Sequence, residues 1–305
     1  SLEVVTVDSK KMAEDLQSMV IQLDEPLADP ASLNVLYISK LAKDQGIKVL
    51  LSGTGGDDIF TGYRRHYALE VEKYWNWLPK NIRVLMENAS KNLNNNKPIQ
   101  RRFSKLFNGA GLDNDERLIN YFRWTSDVTL QSLYSPAMQE LMIYSDTNFP
   151  MSDFIPEFSS NISRLDQMLA IEQRFFLADH NLNYTDKMSM AVGLEVRVPF
   201  LDQDLIEFAA HIPNKYKQKG NEGKWVLKKA MEAYLPKDII YRPKSGFGVP
   251  LRRWLKEDLK ELLGDLLSVD SLNKRGLFSA QSVQKLISDN DNGKIDASYT
   301  LLSIL

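Results

Sequence analysis

The sequence predicts an α/β chain in which a short parallel sheet is followed by a mostly helical C-terminal part. Residues 3–7 and 47–51 carry the apolar, β-branched pattern of strands. The second strand runs into a loop with three glycines, which leads to a helix start headed by two aspartates. From about residue 116 onward, nearly every segment spaces its apolar residues as a helix does. A strand, a glycine loop and a helix start in this order are typical of a ligand site at the strand ends of a sheet.

The candidate site is the stretch SGTGGDDIFTGY at residues 52–63. Its glycines allow backbone N–H groups to approach an anion, and the helix N-terminus adds a favourable dipole. The adjacent carboxylates of Asp57 and Asp58 would repel bare phosphate, but they would hold Mg²⁺ against it, because Mg²⁺ prefers carboxylate oxygens and bridges to phosphate. We therefore predict a Mg²⁺–polyphosphate loop. The alternative is a helix cap, which stabilises by about 1 kcal/mol without any ligand.

The composition narrows the function classes. With 305 residues, 43% of them hydrophobic, the chain can bury a large core in one large or two ordinary domains. The net charge of −2 argues against bulk electrostatic attraction to nucleic acid or to an anionic membrane. The absence of cysteine excludes disulfides, thiolate zinc sites and a cysteine nucleophile within this chain, and it fits a reducing compartment such as the cytoplasm. No apolar run reaches the ~18 residues that predict a membrane span.

Two amphipathic helices are predicted before the glycine loop. The first carries its apolar residues on one face, at Met12, Leu16, Met19, Val20 and Leu23. The second carries Leu33, Leu36, Tyr37 and Leu41 and is ended by Gly46. Between them, Asp29 either faces the site or caps the second helix, and capping is the safer interpretation. Only two strand candidates precede residue 60, fewer than an α/β nucleotide-binding domain needs, so we expect earlier strands upstream of Ser1.

We place a boundary between two parts of the chain in the loop at residues 108–111. Residues 1–110 are then a partial nucleotide-binding α/β region, and residues 111–305 are a helical region that completes the active site. Helical spacing in the second region is found at 116–133, 163–177, 203–210, 224–234, 256–267 and 279–289.

Three stretches of the helical region are too polar and too punctuated to be only core: residues 177–190, 193–202 and 241–250. In the second, Glu195 and Arg197 alternate with apolar residues, so both charged side chains point the same way from an extended segment. They either support a site or form an ion pair that holds two layers together.

The third of these stretches is a loop stiffened by two prolines and two glycines. Its lysine, Lys244, is a candidate for gripping a phosphate or a developing negative charge. A solvent-facing lysine is the alternative.

Four motifs in this order resemble the synthetase domain of the asparagine synthetase family: DEPLADPA, SGTGGDDIFTGY, DKMSMAVGLEVRVPFLD and RPKSGFGVP. The resemblance covers about residues 4–254, and the tail beyond is only weakly matched. It implies a fold of the ATP pyrophosphatase type, similar to the adenine-nucleotide alpha-hydrolases. It also implies that ATP and Mg²⁺ activate a carboxylate as an acyl-adenylate, which ammonia attacks to give an amide, AMP and pyrophosphate.

The resemblance assigns roles to residues of this sequence. The residues expected to contact the nucleotide are Ser52, Gly53, Gly55, Gly56, Asp186 and Lys187. The expected Mg²⁺ ligands are Asp57 and Asp58. The residues expected to act on the reacting groups or to support them are Lys244, Thr54, Glu195 and Arg197. A fixed cation and a metal suit adenylation, because negative charge concentrates on the α-phosphate and the pyrophosphate leaving group.

The departures from the family pattern carry expectations of their own. The family's SGGxDS loop and its N-terminal cysteine for glutamine hydrolysis are not in this sequence, and we expect both upstream of Ser1, the cysteine in a glutaminase domain. The isolated chain is therefore expected to be inactive and to bind ATP poorly. At Thr54 the family typically carries an acidic residue, and threonine has no charge to act as a base at neutral pH. Asp58 replaces the usual glutamate. Aspartate is the favoured substrate, with another carboxylate, such as one on a surface-polysaccharide sugar, as the alternative.

Two interpretations from other classes remain. One is a degenerate, non-catalytic synthetase-like protein that serves as a binding or regulatory partner. The other is an ATP pyrophosphatase acting on tRNA through the basic residues 97–105, although the balanced charge predicts no such binding. The predicted partners are a small-molecule carboxylate, ammonia and the upstream glutaminase domain, without nucleic acid or membrane. Assembly as a homodimer is left open.

Overall fold

Helices dominate the protein, as the apolar periodicity predicts. The structure is a computed structural model that describes residues 3–6, 9–93, 98–159, 161–243 and 246–305. The helices of its first half are α1 (Ser9–Leu23), α2 (Ala31–Asp44), α3 (Gly56–Ile59), α4 (Arg64–Glu72), α5 (Lys80–Lys91), α6 (Pro98–Leu106), α7 (Asn114–Asn120), α8 (Asp127–Leu133), α9 (Pro136–Leu141) and α10 (Met151–Phe154). Those of its second half are α11 (Arg164–Ile171), α12 (Asn183–Met190), α13 (Gln203–His211), α14 (Asn214–Lys217), α15 (Trp225–Met231), α16 (Lys237–Ile240), α17 (Leu251–Lys256), α18 (Lys260–Leu266), α19 (Val269–Arg275), α20 (Ala280–Asp291) and α21 (Ser298–Ile304).

A small parallel sheet precedes and supports the glycine loop. It consists of β1 (Val49–Leu51) and β2 (Glu195–Arg197), with Leu51 opposite Arg197. The strand predicted at residues 47–51 is therefore confirmed at Val49–Leu51, but it is not buried as its apolar residues suggest, because Val49 is 42% and Leu51 72% exposed. A separate antiparallel pair, β3 (Gln218–Lys219) and β4 (Glu222–Gly223), forms a tight hairpin.

The strand predicted at residues 3–7 is wrong for the described residues 3–6, which adopt no regular structure. The β-branched pattern is present there, but Val4 is 74% exposed, and no described strand pairs with this segment. Strand propensity depends on a partner strand as well as on burial. Val5 is partly buried against a hydrophobic cluster, but no described strand pairs with the segment.

The largest core joins the start of the chain to its end. Met12, Leu16, Met19 and Leu23 of α1 are all at most 5% exposed and pack in one cluster with residues of α2, α12 and the helices from α17 onward. Val20, assigned to the same face, is instead 53% exposed. Val20 lies at the edge of the apolar face of α1, so the buried face of this helix is narrower than predicted.

Two predicted helices differ in their extent. The region 116–133 is two helices, α7 and α8, because the Ser126 side chain accepts a hydrogen bond from the Thr129 N–H and starts a new helix there. The region 163–177 is longer than predicted. There α11 continues through a π-helical segment, Glu172–Leu182, directly into α12. Such wide turns are rare and are frequently found at functional sites.

Among the described residues, no helix combines the length and the apolar character that crossing a membrane requires.

Candidate functional site

The glycine loop leaves β1 at the edge of the parallel sheet and is held there from two sides. The Ser52 N–H donates to the Arg197 carbonyl at 2.8 Å, so the loop begins directly beside β2. Gly55 has a φ of +92°, and a methyl group at this position would lie 2.4 Å from Leu201 Cδ2. The glycine is therefore needed both for the turn and for the close packing of the segment after β2.

Asp57 is the carboxylate that the loop presents at the start of α3. Its Oδ1 lies 2.6 Å from the Lys224 Nζ, and the two side chains are 23% and 31% exposed. The space for this carboxylate depends on Gly62, because a methyl group there would lie 1.8 Å from Asp57 Oδ1. The Gly62 N–H also donates to the Asp57 carbonyl at 2.8 Å. The spacing of Asp57 and Gly62 in the motif thus has a steric cause.

Lys224 is brought to Asp57 by the β3–β4 hairpin. It follows Gly223 directly, has a φ of +56°, and donates its N–H to the Phe60 carbonyl at 2.8 Å. A methyl group at Gly223 would lie 1.9 Å from the Thr61 carbonyl oxygen, so the hairpin lies against the backbone of the loop. Sequence reasoning missed Lys224. The only signal was the turn GNEGK before a helix, and lysines in turns are commonly solvated.

Asp58, the neighbour of Asp57, points into the protein instead. It is 1% exposed, and the Tyr63 hydroxyl lies 3.4 Å from each of its carboxylate oxygens. The Tyr63 hydroxyl also accepts a hydrogen bond from Asn181 Nδ2 at 3.2 Å. The tyrosine that ends the motif therefore ties the start of α3 to the π-helical segment.

A buried ion pair lies beneath this tyrosine. Glu172, 0% exposed, accepts hydrogen bonds from Arg65 Nε and from His66 Nε2, both at 2.9 Å. The His66 Nδ1 accepts from the Tyr63 N–H at 3.3 Å, so the His66 proton is on Nε2. Burial alone would raise the pKa of Glu172, but the hydrogen bonds from Arg65 and His66 hold it below its ordinary value. Sequence reasoning missed this cluster because its members are distant in sequence.

The environment of Asp58 disfavours its charged form. Burial, followed by the negative charges of Glu172 and Asp57, raises the pKa of Asp58 from 3.8 to about 7. The folded state therefore binds a proton that the unfolded state has already released between these two pH values. Stability from this group is fully present below pH 4 and is lost as the pH rises through about 7.

We expect Asp58→Asn to remove this pH dependence. Each pH unit between the two pKa values changes the free energy of unfolding of the wild type by about 1.4 kcal/mol. The stability of the variant relative to the wild type should therefore be roughly 3 kcal/mol greater at pH 8 than at pH 5. The measurement is urea unfolding of both proteins at the two pH values. A constant difference between them would show that Asp58 is ionised throughout.

The start of the loop carries two hydroxyl groups and a glycine with free space beside it. Ser52 Oγ and Thr54 Oγ1 lie 2.7 Å apart, and the Thr54 N–H donates to Ser52 Oγ at 3.2 Å. This local turn fixes both hydroxyls. A methyl group at Gly53 would meet no atom within 4 Å, whereas one at Gly56 would touch the Phe200 ring at 3.4 Å. Gly53 therefore has free space beside its backbone, and Gly56 does not.

Glu195 and Arg197 lie on the same face of β2, as predicted, and form an ion pair at 3.6 Å. Both side chains are more than half exposed. Arg197 adjoins the loop through its backbone carbonyl, which accepts from Ser52. An exposed pair of this kind contributes at most about 1 kcal/mol to stability. The predicted role of Glu195 and Arg197 in the reaction stays a prediction.

The other predicted site residues are only partly connected to the loop. Asp186 is exposed on α12, and Lys187 pairs with Asp24 in the loop between α1 and α2. Their assignment to the nucleotide stays a prediction. Lys244 lies outside the described residues.

The metal expectation can be weighed against the donor atoms present. Among the described residues, no group of three or more carboxylate, histidine or cysteine side chains is arranged around a metal position. Mg²⁺ commonly keeps several waters and takes one or two carboxylates together with substrate phosphates, so a single protein carboxylate fits its chemistry. Asp57, whose side chain is 23% exposed, is the carboxylate positioned to be that ligand. Asp58, which is buried against Tyr63, is not favoured by its position, and its metal role stays a prediction.

Comparisons with known proteins identify the family. The family model for asparagine synthase matches residues 2–305. A putative asparagine synthetase (glutamine-hydrolyzing) of Mycobacterium tuberculosis strain H37Rv is 29% identical over 304 residues, which are 98% of this chain and 44% of that protein. Asparagine synthetase (glutamine-hydrolyzing) 1 of Bacillus subtilis is 28% identical over 301 residues, 98% of this chain and 45% of that protein. The protein named amidase chyE of Penicillium rubens is 24% identical over 307 residues, which cover 94% of this chain and 44% of that protein. The chain thus spans less than half the length of these relatives.

Proposed function

The chain belongs to the asparagine synthase family, and from that premise we propose that it is the synthetase part of an ATP-dependent amide-forming ligase. In the proposed reaction a carboxylate attacks the α-phosphorus of ATP, pyrophosphate leaves, and ammonia then displaces AMP from the acyl-adenylate to give an amide. The parallel pair β1–β2 would belong to a larger sheet of the ATP pyrophosphatase type.

One observation carries this proposal: the Asp57–Lys224 pair at the mouth of an open glycine loop. Mg²⁺, when bound with ATP, would neutralise charge on the pyrophosphate leaving group. Asp57 would be its carboxylate ligand, and the ion pair between Asp57 and Lys224 would have to open when the metal binds. The ammonium of Lys224 would then be able to donate to phosphate oxygens. Lys244 is also proposed to donate to phosphate oxygens.

The open backbone at Gly53 supplies the other half of the site. The space beside this residue lets an anion approach the loop start, where the Ser52 and Thr54 hydroxyls are fixed by their mutual hydrogen bond. The α3 N-terminus, headed by Asp57, follows directly. A phosphate held here would lie between backbone donors and the cation of Lys224. Such fixed donors stabilise developing charge without having to reorganise.

The substrate is proposed from the names of the relatives and from Thr54. Two proteins named asparagine synthetase align with nearly the whole of this chain, and their names favour aspartate as the carboxylate. Thr54 lacks the acidic group expected in the family, and its hydroxyl is engaged with Ser52, so it offers no base. The alternative is therefore another carboxylate, such as one on a sugar. Ammonia is proposed to come from a glutaminase domain in the remainder of a longer, cytoplasmic protein.

The test is ATP–pyrophosphate exchange by the full-length protein with a panel of carboxylates: aspartate, glutamate and sugar uronic acids. We expect one carboxylate to stimulate exchange at least tenfold over the reaction without a carboxylate. The 305-residue chain alone is expected to show no exchange. Exchange by none of the carboxylates, with a correctly folded full-length protein, would favour the degenerate, non-catalytic interpretation.

A further inference from the structure

A cavity separate from the glycine loop lies among the C-terminal helices. Its volume is about 550 Å³, within the range of about 300–1,000 Å³ that is typical of small-ligand sites. Helices α17, α18, α19, α20 and α21 all contribute side chains to it. Its lining residues lie between Leu255 and Leu301, C-terminal to all four motifs. A ligand of this cavity would therefore be bound by residues that the candidate site does not use.

The inner wall of the cavity is aliphatic. Leu255, Leu263, Leu267 and Leu301 line it and are each at most 7% exposed, and Ile287 adds to the wall from α20. Every apolar side chain of the lining is leucine, isoleucine or valine. Because removing apolar surface from water is favourable whatever its orientation, such a wall suits a flexible alkyl chain.

The rim of the cavity carries two exposed lysines, Lys256 and Lys260. Lys256 donates to the Asp291 carbonyl oxygen at 3.1 Å, which leaves two of its three N–H donors for another acceptor. Lys260 forms no ion pair within the described part of the chain. The carboxylate of Asp291 also lines the cavity, but it pairs with neither lysine there. Two positive charges against one negative charge leave the rim cationic.

A buried amide adds an uncharged donor. Asn290 lines the cavity and is 6% exposed. Its Oδ1 accepts a hydrogen bond from the Ala297 N–H at 3.0 Å, so the other terminal atom is the Nδ2 donor. Among the described residues Nδ2 has no acceptor, although it is not sealed from the cavity. An acceptor on a ligand would satisfy this donor.

We propose that this cavity binds the anion of an aliphatic carboxylic acid, with its alkyl chain against the leucine wall and its carboxylate at the lysine rim. The carboxylate would accept from Lys256, Lys260 and Asn290 Nδ2. An alkylammonium ion would instead meet two like charges and a single carboxylate, that of Asp291. The charge of the rim thus selects the anion, and the wall selects the chain. This inference does not rest on the proposed function.

A chain-length series tests the aliphatic wall. Isothermal titration calorimetry of the full-length protein is carried out with butanoate, hexanoate, octanoate and decanoate, all below the concentrations at which they form micelles. Each methylene that leaves water should tighten binding by up to about fourfold, the ratio that corresponds to about 0.8 kcal/mol per buried CH₂. The affinity should stop rising once the chain fills the cavity. Binding that does not saturate, or an affinity that is independent of chain length, would overturn the inference.

Three probes of equal chain length test the cationic rim. Decanoate should bind about tenfold more tightly than decanol, and decylammonium should bind most weakly. The double variant Lys256→Met with Lys260→Met keeps the unbranched stems and removes both charges. It should weaken decanoate binding about tenfold and abolish the preference over decanol. Lys285→Met makes the same change at an exposed position of α20 outside the lining and should leave binding unaltered.

An added negative charge gives a test that does not involve the lysines. Val269 lines the cavity, is 50% exposed and begins α19, where an acidic residue is favourable to the helix dipole, so Val269→Asp should fold normally. The new carboxylate should weaken decanoate binding about threefold and leave decanol binding nearly unchanged. Equal weakening of both probes would contradict recognition by charge. Tighter binding of decylammonium than of decanoate to the wild type, or a preference for decanoate that survives in the lysine double variant, would overturn the inference.

Discussion

Asp57→Asn in the full-length protein is expected to lower carboxylate-dependent ATP–pyrophosphate exchange by at least about a hundredfold. The amide has nearly the shape of the carboxylate, so the packing against Gly62 is retained, but it is a poor ligand for Mg²⁺. Lys224 would keep its place on the hairpin while losing its charged partner. The measurement is the exchange rate at saturating carboxylate, with ATP and Mg²⁺ each varied.

Stability separates this effect from misfolding. The Asp57–Lys224 pair is partly exposed, so its loss should change the free energy of unfolding by no more than about 1 kcal/mol. Asp58→Asn is the matched variant, since it makes the same chemical change at the next residue. Because Asp58 is buried against Tyr63, its replacement should lower exchange less than tenfold. Equal losses in the two variants would mean that both carboxylates serve the metal, as the sequence alone predicts.

The part of this site that the sequence predicts is the part that is local. The apolar run before Ser52 ends in a strand, and Gly55, with a φ of +92°, permits a turn that other residues rarely adopt. The buried face of α1 follows from the spacing of Met12, Leu16, Met19 and Leu23. These features depend on neighbours within one or two turns of the chain, where periodicity and turn chemistry are informative.

The parts that the sequence does not predict depend on contacts between distant segments. Lys224 meets Asp57 only because the β3–β4 hairpin lies against Thr61, and His180 meets Asp29 across a similarly long separation. The error at the described residues 3–6 has the same origin. Val4 and its neighbours have the residue types of a strand, but the described part of the chain offers them no partner. Residue type alone does not say which segments will be adjacent.

Gly53→Ala is expected to reduce exchange by at least about thirtyfold without loss of stability. Gly53 is not among the glycines with positive φ, and the added methyl group would meet no atom within 4 Å. The fold therefore tolerates alanine at this position. Because alanine restricts the unfolded chain more than glycine does, the substitution should raise the free energy of unfolding by about 0.5 kcal/mol. The same methyl group would occupy the space through which a phosphate approaches the loop backbone. Gly55 is less informative, because alanine there would clash with Leu201 and destabilise the fold itself.

The control is Gly264→Ala in α18, where the added methyl group also meets nothing within 4 Å. Both variants should melt at or slightly above the wild-type temperature, because both replace glycine by alanine in open space. Only Gly53→Ala should lose exchange activity. The loss should appear as weaker ATP binding, so that more ATP is needed to reach the half-maximal exchange rate. Unchanged exchange in Gly53→Ala would mean that the open backbone beside Ser52 is not where the nucleotide binds. The nucleotide would then have to approach Asp57 from the side of Lys224, past the β3–β4 hairpin.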